Sequence, residues 1–195
     1  MDIKNWKQSP KIQEAKEKLE DEKVRGFMRW VFEIIVTLVL AAMVGIMLFQ
    51  TVTMQESSME PTIAVGDRFF INRVVYKFSS PKRGDLIVFR TNASDDAALH
   101  IRRVIGLPGE TVTIQDGYIF IDGVVLTGLP FDEKISTEGL ALDGVTLGKG
   151  EYFVLGDNVN NSEDSRFANM GNILENEILG KVSYRWFPKQ TRGKL

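Results

Sequence analysis

From Trp30 to Gln50 the chain reads WVFEIIVTLVLAAMVGIMLFQ, and nothing between Ile34 and Phe49 carries a charge. A helix of about 20 residues crosses the hydrocarbon core of a bilayer. The run is long enough to do so if Glu33, its sole charge, sits at the interface. A cleaved secretory signal is the competing reading, but the run is long and the segment before it is extended and mixed in charge. The sequence therefore predicts a single uncleaved transmembrane helix at 30–50, an N-terminal segment at 1–29 and a larger part at 51–195. Lys23, Arg25 and Arg29 crowd the N-terminal flank, and no further Lys or Arg occurs until Arg68. The positive-inside rule then puts 1–29 in the cytoplasm and 51–195 outside it. Glu14 and Lys18 suit a solvated helix leading into the span, since opposite charges four residues apart support one another.

Charge and composition exclude several classes of function. The formal net charge of −2 lacks the basic excess of a nucleic-acid binder. Cysteine is absent and His100 is the only histidine, so disulfides, thiol nucleophiles and multi-histidine metal sites are ruled out. Neither a cofactor nor a metal is expected.

Beyond the span the pattern changes to short alternating or apolar runs. Strands are predicted at 68–75, 86–90, 100–105, 112–115, 118–121, 124–126, 152–155 and 178–186. Asp116-Gly117 and Asp122-Gly123 are two-residue hairpin signals, because both positions accept positive φ. No long amphipathic helix is evident. The external part reads as mainly β, built of antiparallel, coiled sheet, with 127–150 as a surface hairpin or loop.

Directly after the apolar run comes QESSMEPTI, Gln55 to Ile63. Pro61 stiffens this stretch and biases its predecessor away from helix, so Ser58 is expected to present its hydroxyl outward. Ser58 lies eight residues past Gln50; at no more than about 3.6 Å per residue it stays within roughly 30 Å of the span's end.

Three further stretches keep company with this serine: PKRGDLIVF from Pro81, HIRRVIGLPGE from His100 and GDNVNNSEDSR from Gly156. Their content and order resemble the sequence boxes of bacterial type I signal peptidases, a serine–lysine dyad family, over nearly everything after Gln50. The resemblance implies a signal peptidase-like, coiled antiparallel β domain held at the plasma membrane by a single-pass anchor. It implies endoproteolysis of exported preproteins at the small-x-small site ending their signal peptides. Signal peptides and the lipid bilayer are then the partners, with no nucleic acid and no metal. Ser58 would be the nucleophile; Met59, Ile63 and Ile101 would wall the substrate pockets. In the last box Asp157, Asn158, Ser162, Asp164 and Arg166 match the family pattern. Ser162 would hydrogen-bond and orient the general-base side chain, and Asp164 would pair with Arg166 beneath the site.

Two positions depart from the pattern. The family's general-base lysine falls on Arg102, and no lysine occurs between Lys82 and Lys134. Arginine donates hydrogen bonds but stays protonated and cannot accept the serine proton. Hydrolysis is therefore expected to be absent or impaired. Three explanations stand open: an introduced Lys→Arg change, a natural relative that kept recognition without hydrolysis, or His100 acting as base from the same strand face. The second departure is Glu56, two residues before the nucleophile, where the family often has serine, threonine or glycine beside the oxyanion hole. A carboxylate there opposes a developing oxyanion, and Glu56 is expected to face solvent. A non-catalytic assembly factor that binds exported subunits is the alternative function.

Overall fold

A computed structural model of the chain describes residues 10, 14, 22–91, 98–131 and 133–195. Most of the 1–29 segment, Lys18 included, lies outside them. The chain divides into two compact units, Met1–Met47 and Leu48–Leu195.

Helix α1, Glu22–Leu48, lies in the first unit except for its last residue. Its stretch Val24–Gly45 has a mean hydropathy of 2.0 and is 0% buried. Phe27, Trp30, Phe32 and Leu38 all stand exposed. A helix that is apolar all round has nowhere to hide in water, and this one is long and apolar enough to cross a membrane. It begins earlier than the sequence predicts and stops sooner. Phe49 and Gln50 already belong to a strand, because they pair with Asn72 and Ile71.

The second unit is mainly β. Its strands in chain order are β1 (Phe49–Thr53), β2 (Arg68–Asn72), β3 (Leu86–Phe89), β4 (His100–Gly106), β5 (Thr111–Gln115) and β6 (Tyr118–Ile121). They continue with β7 (Val124–Val125), β8 (Val145–Thr146), β9 (Glu151–Leu155), β10 (Ile173–Leu174), β11 (Ile178–Phe187) and β12 (Gly193–Lys194). All pairings are antiparallel. The larger sheet runs β1-β2-β11-β3-β4-β9-β10 with β12 beside β11, and the smaller runs β7-β6-β5-β8. β11 bridges β2 and β3, with register shifts at Val182/Tyr184, Arg185/Phe187 and Ile178/Gly180. Such bulges bend a strand and add local twist, which curls the larger sheet.

β3 shows why its sequence is an uninterrupted LIVF. All four residues are buried; Leu86 and Val88 belong to one core cluster, Ile87 and Phe89 to another. A strand covered on both faces has no solvent side to make polar. Each fully buried side chain of this size contributes roughly 1.5–3 kcal/mol. The Asp-Gly hairpins form as predicted: Asp116 and Gly117 have φ of 52° and 79°, Asp122 and Gly123 of 50° and 80°. Both central positions are left-handed, as the two-residue turn requires.

Two expectations are corrected. The strand predicted at 68–75 ends at Asn72, whose Oδ1 accepts the backbone N–H groups of Val74 and Val75 at 3.0 and 3.1 Å. That side-chain acceptor turns the chain into the short helix α2, Val75–Phe78. Residues 127–150 are not merely a surface loop. Ile135, Ala141 and Leu147 are buried in the core shared with Val112, Ile114 and Phe153, so this segment closes one side of the smaller sheet.

Candidate active site

The loop from Met54 to Asp67 joins β1 to β2 and carries Ser58. Its neck is closed by Met54 N donating to Asp67 O and Gly66 N donating to Met54 O, both at 2.9 Å. Arg185 Nη1 holds the Asp67 carboxylate at 2.7 Å. Inside the loop, Ile63 N donates to Met59 O at 2.8 Å, and both side chains are 0% exposed. With Met59 and Ile63 sunk into the core, the loop cannot swing freely. Ser58 is itself 3% exposed, so its hydroxyl points into the protein and not outward as the sequence suggested.

The hydroxyl points at β4. Arg102 Nη1 donates to Ser58 Oγ at 2.8 Å and to Ile101 O at 2.8 Å. Arg102 Nε donates to the Glu163 carbonyl at 2.8 Å, and Nη2 to Glu56 Oε2 at 3.0 Å. All three guanidinium nitrogens are engaged, and the residue is 0% exposed. The other oxygen of Glu56 lies 3.1 Å from His100 Nδ1. Glu56 is therefore not a solvent-facing residue as expected, although its side chain keeps 36% exposure. It joins two β4 residues that share a strand face, as alternate residues do.

Electrostatics settle the protonation of this carboxylate. Burial would raise the Glu56 pKa, but the His100 hydrogen bond and the Arg102 charge and hydrogen bond outweigh it, holding it at about 2. An ionised carboxylate only accepts hydrogen bonds, so His100 Nδ1 carries the hydrogen between them. Glu56 can then neither donate to an oxyanion nor serve as an acid near neutral pH. Arg102 can steady negative charge on Ser58 Oγ but has no lone pair with which to take its proton.

The chain leaving β9 brings the last box against the serine loop. Asn158 N donates to Ser58 O at 3.0 Å, Asn158 Nδ2 to Ser57 O at 3.1 Å, and Asn161 Nδ2 to Ser57 Oγ at 3.0 Å. Asp157 receives Arg103 Nε and Nη2 at 2.7 and 2.6 Å. Asp164 receives Arg166 Nε and Nη2 at 2.8 and 3.0 Å, and Gly156 N at 3.2 Å. Asp157, Asp164 and Arg166 are all buried.

Ser58, Arg102, Asn158 and the Asp164–Arg166 pair are thus brought together, with one correction. Ser162 Oγ, expected to hold the side chain at position 102, is buried without a hydrogen-bond partner among the described residues. The Arg102 nitrogens reach Ser58, Glu56 and two backbone carbonyls instead. The bidentate Arg103–Asp157 pair and the Glu56 junction escaped sequence reasoning. Each links residues more than 40 positions apart and carries no local signature.

Beside Glu56 a groove of about 410 Å³ runs between the β1 side and the approach to β4, lined by residues 50–56 together with Arg90, Ala98, Leu99 and Ile101. Ile101 lines it directly. Met59 and Ile63 do not; they sit in the core cluster that also contains the groove residues Val52, Met54 and Ile101.

Comparison with known proteins places the chain in a family. The family model described as signal peptidase, peptidase S26, matches residues 27–187. Signal peptidase I T of Bacillus subtilis (strain 168) is 34% identical over 180 residues, covering 88% of this chain and 91% of its own length. Signal peptidase IB of Staphylococcus aureus (strain COL) is 33% identical over 181 residues, covering 84% and 91%. A crystal structure of a signal peptidase I from Enterococcus faecalis V583 matches 54% of this chain and 98% of its own, at 30% identity and a TM-score of 0.45. The chain belongs to the signal peptidase family, a family of serine endopeptidases.

Proposed function

We propose that this protein is a membrane-anchored signal peptidase that receives the end of an export signal in the groove beside Glu56, but hydrolyses it poorly or not at all as it stands. The observation that carries this reading is the 2.8 Å hydrogen bond from Arg102 Nη1 to Ser58 Oγ. Ser58 is the nucleophile by position, buried and held at its backbone by Asn158. Its only side-chain partner among the described residues is a donor. Without a base, a serine hydroxyl is a weak nucleophile at neutral pH.

The groove suits an extended peptide, since the edge strand β1 of the larger sheet forms one of its walls, with Ala98, Leu99 and Ile101 also lining it. Ile101 supplies an apolar wall for the small residues of a small-x-small site. Helix α1 is the anchor, with Lys23, Arg25 and Arg29 on the cytoplasmic side of the plasma membrane and 51–195 outside it. Asp157, Asp164 and Arg166 hold the last box in place, and Asn158 orients the serine loop.

The test is the full chain in detergent with a preprotein carrying a small-x-small site. Binding without cleavage is expected, the binding weakened by bulky substitutions at Ile101. Robust turnover would overturn the claim of impaired hydrolysis, and loss of turnover in Ser58→Ala would still leave Ser58 as nucleophile. Absence of binding would overturn the substrate assignment.

A further inference from the structure

Glu56 and Arg102 lie 46 residues apart in the chain, yet they meet at 3.0 Å beside Ser58. The guanidinium is 0% exposed. Glu56 is the one carboxylate bonded to it among the described residues, because Glu163 offers only its backbone carbonyl. A guanidinium cannot shed its charge on burial, and a buried charge left without a partner is strongly destabilising. His100 Nδ1 holds the second oxygen of Glu56 at 3.1 Å, so the carboxylate is fixed in the direction of position 102.

We infer that Glu56 and Arg102 form an obligate pair, and that Glu56 acts as a positioning residue that keeps a cation at position 102 whichever basic residue stands there. The inference rests on Ser58 being the nucleophile. A lysine serves as a general base only as the neutral amine. A carboxylate within hydrogen-bond reach favours the ammonium instead. Glu56 is ionised throughout the neutral range, its pKa held at about 2. Lysine substituted for Arg102 would therefore pair with Glu56 as the arginine does, and remain charged beside Ser58. The two positions are one electrostatic unit, and reversing only one of them leaves the site without a base.

Four forms of the full chain in detergent test this: the parent, Arg102→Lys, Glu56→Ser and the double variant Glu56→Ser/Arg102→Lys. Each is assayed for preprotein cleavage across pH, for binding of the same preprotein, and for its thermal midpoint. The double variant is expected to cleave at least about 100-fold faster than either single variant at neutral pH, the usual size of a general-base contribution. Arg102→Lys alone should gain rate only at distinctly higher pH than the double variant. Glu56→Ser alone should have the lowest thermal midpoint. If it fails to fold, Glu56→Gln, which keeps hydrogen-bonding atoms without the charge, replaces it in both backgrounds.

Equal neutral-pH rates for Arg102→Lys and the double variant would overturn the inference and leave the nucleophile assignment standing. A Glu56→Ser form as heat-stable as the parent would do the same, whereas a folded double variant that binds preprotein but does not cut it would overturn both the inference and the assignment of Ser58 as nucleophile. If no form either binds or cleaves the preprotein, the proposed function itself fails.

Discussion

The Arg103 guanidinium and the Asp157 carboxylate meet in two near-parallel hydrogen bonds of 2.7 and 2.6 Å, tying β4 to the chain that leaves β9. Arg103 Nη1 also donates to Gly84 O at 2.8 Å, which adds the turn before β3 to the same clamp. Bidentate geometry is the strongest form of this pairing, and the Asp157 side chain is fully buried while that of Arg103 is 12% exposed. Removing one partner leaves the other charge without compensation. Asp157→Asn is therefore expected to lower stability by about 3 kcal/mol, read from urea unfolding. Because the next residue, Asn158, holds Ser58 O, preprotein binding should weaken as well. An unchanged midpoint in urea would show that the pair is dispensable.

Gly156 sits closer to the serine loop than any side chain could. A Cβ placed on it would lie 2.4 Å from Ser58 O and 2.2 Å from Ser162 Oγ. Gly156→Ala should then cost about 1–3 kcal/mol through overpacking and displace Ser58 from Arg102. Adding Ser162→Gly removes the hydroxyl contact but not the carbonyl one. The double variant should recover only part of the loss, by thermal unfolding. Full recovery would mean that the carbonyl can give way and that the close approach is not what holds the serine in place.

What could be read from the sequence was local, and what could not was distant or geometric. The Asp-Gly hairpins were legible because the backbone demand falls on the two residues that meet it. The apolar run announced a spanning helix, yet it also hid β1, since Phe49 continues the same hydrophobic stretch into a strand. Val74 and Val75 read as the end of a strand, but the Asn72 side chain overrode them by accepting both of their N–H groups where the helical turn starts. Ser58 and Arg102 stood out by motif. The direction of the Ser58 hydroxyl did not, because it depends on where Met59 and Ile63 find core. Glu56 looked like a surface residue because nothing nearby in sequence pairs with it; its partners lie 44 and 46 positions away.

Glu56 should also leave a signature in acid. Its pKa is lowered from 4.5 to about 2: burial raises it, and the hydrogen bonds and charges of His100 and Arg102 more than reverse that. A carboxylate depressed in the folded state contributes stability that is fully present above its unfolded pKa. That contribution disappears as pH falls through the folded value. The window is therefore between about 4.5 and 2. The parent should be more heat-stable than Glu56→Gln at neutral pH, and the two thermal midpoints should converge across that window. Because the Glu56 side chain is 36% exposed, solvent screens part of the effect, and the difference at neutral pH should shrink in high salt. A gap that persists at pH 2 would show that the charge is not what Glu56 contributes.

Ser162 gives the sharpest contrast between this chain and one with a lysine in the site. Its hydroxyl is buried and makes no hydrogen bond among the described residues, while every nitrogen of the Arg102 guanidinium is taken. A buried hydroxyl without a partner brings a desolvation cost that no bond offsets. Ser162→Ala in the parent chain should therefore be neutral or slightly stabilising by thermal unfolding. In a Glu56→Ser/Arg102→Lys background the shorter amine no longer has Glu56 to reach for, and Ser162 is free to accept from it. There the same Ser162→Ala change should slow cleavage by about 10-fold or more, since a base left unoriented loses much of its contribution. Equal effects in the two backgrounds would show that Ser162 does not orient the group at position 102.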